Sequence, residues 1–133
     1  MTSMPSTGVK PRTDLGLLLI RLVMGAGIAW HGYGKIFGGG MEGFTSGVNA
    51  LGFPFPVVFA WAAALSEFGG GIFIVLGLRT RLAAFFVGAT MAVAAFLAHA
   101  QDPLATKELA LAYLAVAAML VLTGPGSMSI DRG

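Results

Sequence analysis

Four long apolar runs constrain this chain of 133 residues more than any other feature. They extend from Leu15 to about Tyr33, from about Pro56 to Leu78, from Leu82 to about Ala98, and from Leu109 to Thr123. Charge interrupts them only at Arg21 and Glu67. A helix crosses a bilayer with about 20 residues at about 1.5 Å of rise each, and roughly 17–25 are tolerated. The first three runs meet that length, and the fourth reaches it by extending into residues 102–108. Hydrophobic residues make up 56% of the chain and charged residues 11%, against about 25% charged in an average soluble domain. A soluble globule of this size could not cover its surface with so few polar side chains. The expected fold is all-α, an integral membrane four-helix bundle, and an ordinary cytosolic enzyme is excluded.

Residues 1–13 are polar and proline-containing and are expected to be a disordered tail, with Asp14 as the N-cap of the first span. Residues 14–124 form the membrane domain and 125–133 a cytoplasmic tail. The first run is too long for a signal-peptide core and carries Arg21 inside it, which argues against a cleavable signal. With both termini cytoplasmic, the inner flanks hold Lys10, Arg12, Arg79, Arg81 and Arg132, and the outer flanks hold Lys35 and Lys107. The positive-inside rule favours that orientation. It places Trp30, Tyr33 and Trp61 toward the outer side, as an aromatic belt. After the hinge Gly38–Gly40, Met41, Phe44, Val48 and Leu51 recur at helical spacing, and Gly52, Pro54 and Pro56 stop the pattern. This predicts a short amphipathic helix between spans one and two, lying on the outer interface or capping the bundle. The competing reading is a structureless loop.

Several chemistries are absent. The eight Lys and Arg residues are scattered, so there is no clustered basic surface for nucleic acid. Without cysteine there are no disulfides, thiolate catalysis or cysteine-ligated iron–sulfur clusters. The glycine runs at 38–40 and 69–71 lack the spacing of a dinucleotide fingerprint.

Helices in lipid pack through small residues. Four stripes combine small residues with an ionisable one: Arg21, Gly25, Ile28, Gly32 and Lys35 on span one; Ala60, Ala63, Ala64, Glu67, Gly70, Gly71 and Ile74 on span two; Gly88, Ala92, Ala95 and His99 on span three; Glu108, Ala112, Ala115 and Met119 on span four. All four are expected to face inward. A charge near the bilayer centre costs about 2.5–3.5 kcal/mol, so Arg21 and Glu67 are expected to pair across spans one and two. That pair either pins helix register or lines a polar cavity in which Glu67 binds or relays a proton. At the outer mouth, His31, Lys35, His99 and Glu108 are candidate ligand-binding residues, with Lys107 nearby. No metal-site spacing links them, and the lysines disfavour a cation. Cationic and imidazole donors suit a quinone-like or anionic ligand, and interfacial histidines with snorkelling lysines are the plainer alternative.

The run Arg21-Leu-Val-Met-Gly25 with His31-Gly32-Tyr33-Gly34-Lys35 resembles the first-helix signature of the DoxX family. Glu67-Phe-Gly69-Gly70, Gly77-Leu-Arg79-Thr80-Arg81, the loop ending Leu51-Gly52-Phe53-Pro54 and the close Gly124-Pro125-Gly126 with Ser129-Ile130-Asp131 are similar to later family motifs. The resemblance covers about residues 14–131. It implies a small four-helix bacterial inner-membrane protein. Related DoxD proteins form a membrane subunit of thiosulfate:quinone oxidoreductase, and mycobacterial DoxX is associated with a superoxide dismutase and a thiosulfate sulfurtransferase. The resemblance therefore implies a membrane subunit of a redox complex, with quinone as a possible cofactor, soluble redox enzymes as partners and catalysis, if any, as part of a quinone-linked oxidoreductase. A membrane anchor for soluble enzymes, a small transporter and a homo-oligomer stand as alternatives.

Overall fold

The computed structural model describes residues 9–131. Helix α1 spans Val9–Phe37, α2 Met41–Ala50, α3 Pro56–Leu76, α4 Thr80–Val93 and α5 Leu104–Thr123. Helix α4 widens into a π-helical stretch, Ala94–Ala98, at its far end. No strand occurs among the described residues. Four stretches are long and apolar enough to cross a membrane: Lys10–Phe37, Pro56–Leu76, Thr80–Ala98 and Leu104–Thr123. The four expected spans are therefore present. An even number of crossings puts both chain ends on one side, here called the terminal end.

Two sequence expectations about the ends need correction. Residues 9–13, expected to be disordered, form the first turn of α1, where Pro11 is tolerated because first-turn N–H groups have no helical partner. Asp14 consequently lies inside α1 and is not its N-cap. Residues 1–8, 132 and 133 lie outside the described residues. The segment after α5, expected as a tail, docks across the terminal end. Pro125 is fully buried, and the Ile130 and Asp131 amides donate to the carbonyls of Leu76 (3.3 Å) and Gly77 (2.9 Å).

Helix α1 packs chiefly on α3, α3 on α4, and α4 on α5, while α2 lies against α3. The inward stripes of the first two spans are as the sequence predicts. Arg21, Gly25, Ile28 and Gly32 of α1 are buried, as are Ala60, Ala64, Glu67, Gly70, Gly71 and Ile74 of α3. The third stripe is displaced: Ala83, Ala84, Val87, Met91 and Ala95 are the buried residues, with Gly88, Ala92 and His99 half-covered. The fourth is wrong except at Met119, which packs half-buried against the core. Tyr113, Ala117 and Leu120 face inward, and Glu108, Ala112 and Ala115 are exposed. Helix α5 is apolar nearly all round, so its periodicity carries no information about its face.

The α1–α3 contact is a glycine-to-backbone approach. A Cβ on Gly71 would lie 2.5 Å from the Ala29 amide nitrogen and 2.6 Å from the Gly25 carbonyl oxygen, and one on Gly32 would strike the Phe68 backbone. Gly69, two residues away on the same helix, has open space where a Cβ would stand. Gly71→Ala is therefore expected to lower stability by about 1–3 kcal/mol through forced separation of the helices. Gly69→Ala is expected to be neutral or slightly stabilising, because alanine is the better helix former. Thermal unfolding of the two variants in detergent, followed by helicity, checks this. Equal losses would contradict the packing.

Candidate functional site

Antiparallel register decides which charges can meet. Gly25 lies against Val75, Gly71 against Ala29, and Gly32 against Phe68, so the residue numbers of facing positions add to about 100. Glu67 then stands opposite position 33, and Arg21 opposite position 79. Twelve residues separate 21 from 33, which is about 18 Å along α1. The expected Arg21–Glu67 pair does not form, although both residues are buried. Each charge is neutralised by a different device.

Arg21, 1% exposed, has no carboxylate partner among the described residues. Its guanidinium donates to four carbonyl oxygens: Ile74 (3.0 Å), Val75 (3.1 Å), Pro125 (3.0 Å) and Met128 (2.9 Å). A helix ends with four carbonyls that lack intrahelical partners. On α3 all four are engaged. Phe73 accepts from the Leu78 amide, Ile74 from Gly77 and Arg21, Val75 from Arg21, and Leu76 from Ile130. Arg21 is thus a cap for α3 supplied by α1, placed where the helix dipole is negative. Gly77 turns the chain there with φ +69°, and a side chain at that position would run into Ser129 and the guanidinium. Asp14 fastens the same segment by accepting from the Ser127 hydroxyl (2.6 Å) and amide (3.2 Å).

Glu67 is paired with Lys35. The ammonium donates to both carboxylate oxygens at 2.7 Å, and the two side chains are 4% and 24% exposed. Phe44 of α2 lies over the ammonium, 4.3 Å from nitrogen to ring centre, an arrangement that stabilises a cation shielded from water. The amphipathic helix predicted from the sequence therefore exists, and it roofs this ion pair. Val48 on the same face is buried.

The remaining mouth residues do not join it. His31 is exposed and meets Tyr113 edge-on, with ring centres 6.0 Å apart. His99 Nδ1 lies 2.8 Å from Asp102 Oδ2 in the α4–α5 loop, and Lys107 donates to the Ala100 carbonyl there (3.4 Å). Glu108 is exposed on α5. Among the described residues no group of three His, Asp or Glu side chains could hold a metal ion. Sequence reasoning missed Tyr113, which is buried against Gly27. A lone tyrosine in an otherwise aliphatic span, opposite a glycine, was the available signal. A lipid-facing groove of about 350 Å3 between α1 and α3 ends level with the ion pair, lined by Ala29, Trp30, Tyr33, Phe68 and Ile72 among others. Trp30 and Tyr33 stack there, with ring centres 5.7 Å apart.

The DoxX family model matches residues 16–100. The chain belongs to the DoxX family. It is 33% identical over 129 residues to inner membrane protein YqjF of Escherichia coli, covering 93% of this chain and 95% of that protein. It is also 33% identical over 123 residues to an uncharacterized protein of Haemophilus influenzae, covering 87% of this chain and 88% of that one. No solved structure matches the chain. With four apolar spans and an inner-membrane relative along nearly its whole length, this DoxX protein is a multi-pass inner-membrane protein.

Cutting the chain after Gly124 removes two hydrogen bonds to the buried Arg21 guanidinium and two to the Asp14 carboxylate, of which the Arg21 pair carries most of the loss. The expected destabilisation is about 3 kcal/mol. Arg21→Lys leaves a compact ammonium that cannot span four acceptors. It is expected to speed hydrogen exchange at the Ile130 and Asp131 amides. Wild-type protection of those two amides in Arg21→Lys would show that the arginine does not hold the C-terminal segment.

Proposed function

We propose that this DoxX protein is the membrane subunit of a redox-associated complex and binds a quinone-type ligand at the Lys35–Glu67 centre beneath α2. The observation that carries the reading is a buried carboxylate held by a half-buried ammonium, sheltered by a short helix that follows the glycine run 38–40. Structural ion pairs need no movable roof. Gly39 takes φ +79°, so this turn is a place where α2 can pivot without strain on a side chain.

The chemistry favours a neutral carbonyl ligand over a small anion. Glu67 already neutralises Lys35, and an anion would have to displace the carboxylate, leaving it buried and unpaired. A carbonyl oxygen can instead share the ammonium, which has three donors. Glu67 is then positioned to hold or pass a proton. His31 and Tyr113 add an imidazole and a phenol within two turns of it along α1. The α1–α3 groove suits an isoprenoid tail, being apolar and open to lipid. Such a ligand would supply two-electron carbonyl chemistry, and soluble redox enzymes would exchange electrons with it.

Trp30 lines the groove and reports occupancy. In a Trp61→Phe background, titration with a short-chain quinone analogue is expected to quench Trp30 fluorescence saturably. Lys35→Gln with Glu67→Gln keeps a hydrogen-bonded pair but removes both charges, and is expected to weaken binding about tenfold, in line with the loss of one charged hydrogen bond. His31→Ala is expected to have a smaller effect, because His31 lies outside the roofed centre. Absence of saturable quenching, or unchanged affinity in the double variant, would refute quinone binding here. Co-purification of soluble enzymes with such a ligand-free protein would then favour an anchoring role.

A further inference from the structure

A second groove, between α3 and α4, has a volume of about 500 Å3. Its floor is Gly69 and Gly70, and its walls include Leu65, Phe73, Leu82 and Phe86. From Ala62 to Phe73 it follows eleven residues of α3, about 16 Å, long enough for most of an extended acyl chain. Ser66 also lines it, but its hydroxyl donates to the Ala62 carbonyl at 2.7 Å and is not free for a ligand. One charged side chain borders the groove, Arg79, at the terminal end.

Arg79 sits in the tight α3–α4 turn with φ +49°. It is exposed, and its side chain has no hydrogen-bond or ion-pair partner among the described residues, unlike those of Arg21, Lys35 and Lys107. The first turn of α4 carries no acidic residue, and no side chain caps it. The positive helix end therefore adds to the same sign of charge. An apolar channel that runs out of the membrane core and stops at an unpaired guanidinium has the polarity of an anionic lipid, read from tail to head.

We propose that this groove binds an anionic glycerophospholipid of the adjoining leaflet, with an acyl chain along the Gly69–Gly70 floor and its phosphate on Arg79. A neutral isoprenoid would leave the guanidinium without a counter-charge. A zwitterionic lipid would bring its own cation beside Arg79. The groove lies on the α4 side of α3, whereas the Lys35–Glu67 pair lies at mid-helix on its α1 side and lines none of it, so the two sites are distinct.

Native mass spectrometry of the detergent-purified protein, titrated with phosphatidylglycerol and phosphatidylethanolamine, tests this. The wild type is expected to retain phosphatidylglycerol preferentially. Arg79→Asn, which suits the left-handed backbone, is expected to lower that retention about fivefold, the factor for one basic residue at a membrane surface. Arg81→Asn, two residues on in the first turn of α4 but outside the groove, is expected to change it little. Ala62→Trp fills the channel and is expected to reduce retention of both lipids. Should that variant not fold, the comparison of the two arginines decides alone. Equal retention of the two lipids by the wild type, equal losses in both arginine variants, or displacement of phosphatidylglycerol by a neutral isoprenoid would overturn the assignment.

Discussion

The close contact between α1 and α3 is what the rest of this bundle depends on. In hydrocarbon there is no water to satisfy a stray charge or carbonyl, so each must find a partner within the protein. Glycines on both helices bring the backbones together in one register, and that register settles the fate of both buried charges. It places Arg21 at the last turn of α3, where four carbonyls need donors. It places Lys35 within reach of Glu67 and leaves no path between Arg21 and Glu67. Arginine suits the first task because its planar fork can serve several acceptors at once. Lysine suits the second because its flexible stem lets a compact ammonium approach both carboxylate oxygens.

The two devices differ in what they allow. Around Arg21 everything is tied: α3, the turn at Gly77, and the segment from Pro125 to Asp131 all converge on one side chain, and Asp14 holds that segment from the other side. Around Glu67 the covering is a ten-residue helix joined through glycines. Such an element opens at lower free energy than the packed spans. The terminal end is thus cross-tied, and the far end is covered by one short helix.

Much of this was legible in the sequence. The four spans follow from length and hydropathy. The inward stripes of α1 and α3 follow from small residues recurring at helical spacing, and α2 from Met41, Phe44 and Val48. Family motifs identified the chain as DoxX. The partner of each charge was not legible, because depth counted from assumed helix ends ignores register. Helix α1 is already helical at Val9, six residues before its apolar run, and in the observed register Arg21 stands twelve positions from the residue that faces Glu67. The face of α5 was hidden by alanine and leucine on every side. The docking of residues 125–131 was hidden because its bonds are made largely by backbone groups, which sequence patterns do not mark. The cost of a charge in lipid singles out Arg21, but its acceptors are carbonyls and carry no residue-type signature.

The most direct test exchanges charges. Lys35→Glu and Glu67→Lys are each expected to abolish most folded, membrane-inserted protein, and combining them is expected to restore a large part of it. Arg21→Glu combined with Glu67→Arg is expected to restore none, because those positions are about 18 Å apart in register. Recovery in the Arg21 and Glu67 exchange, with none in the Lys35 and Glu67 exchange, would contradict the register on which this account of the bundle is built.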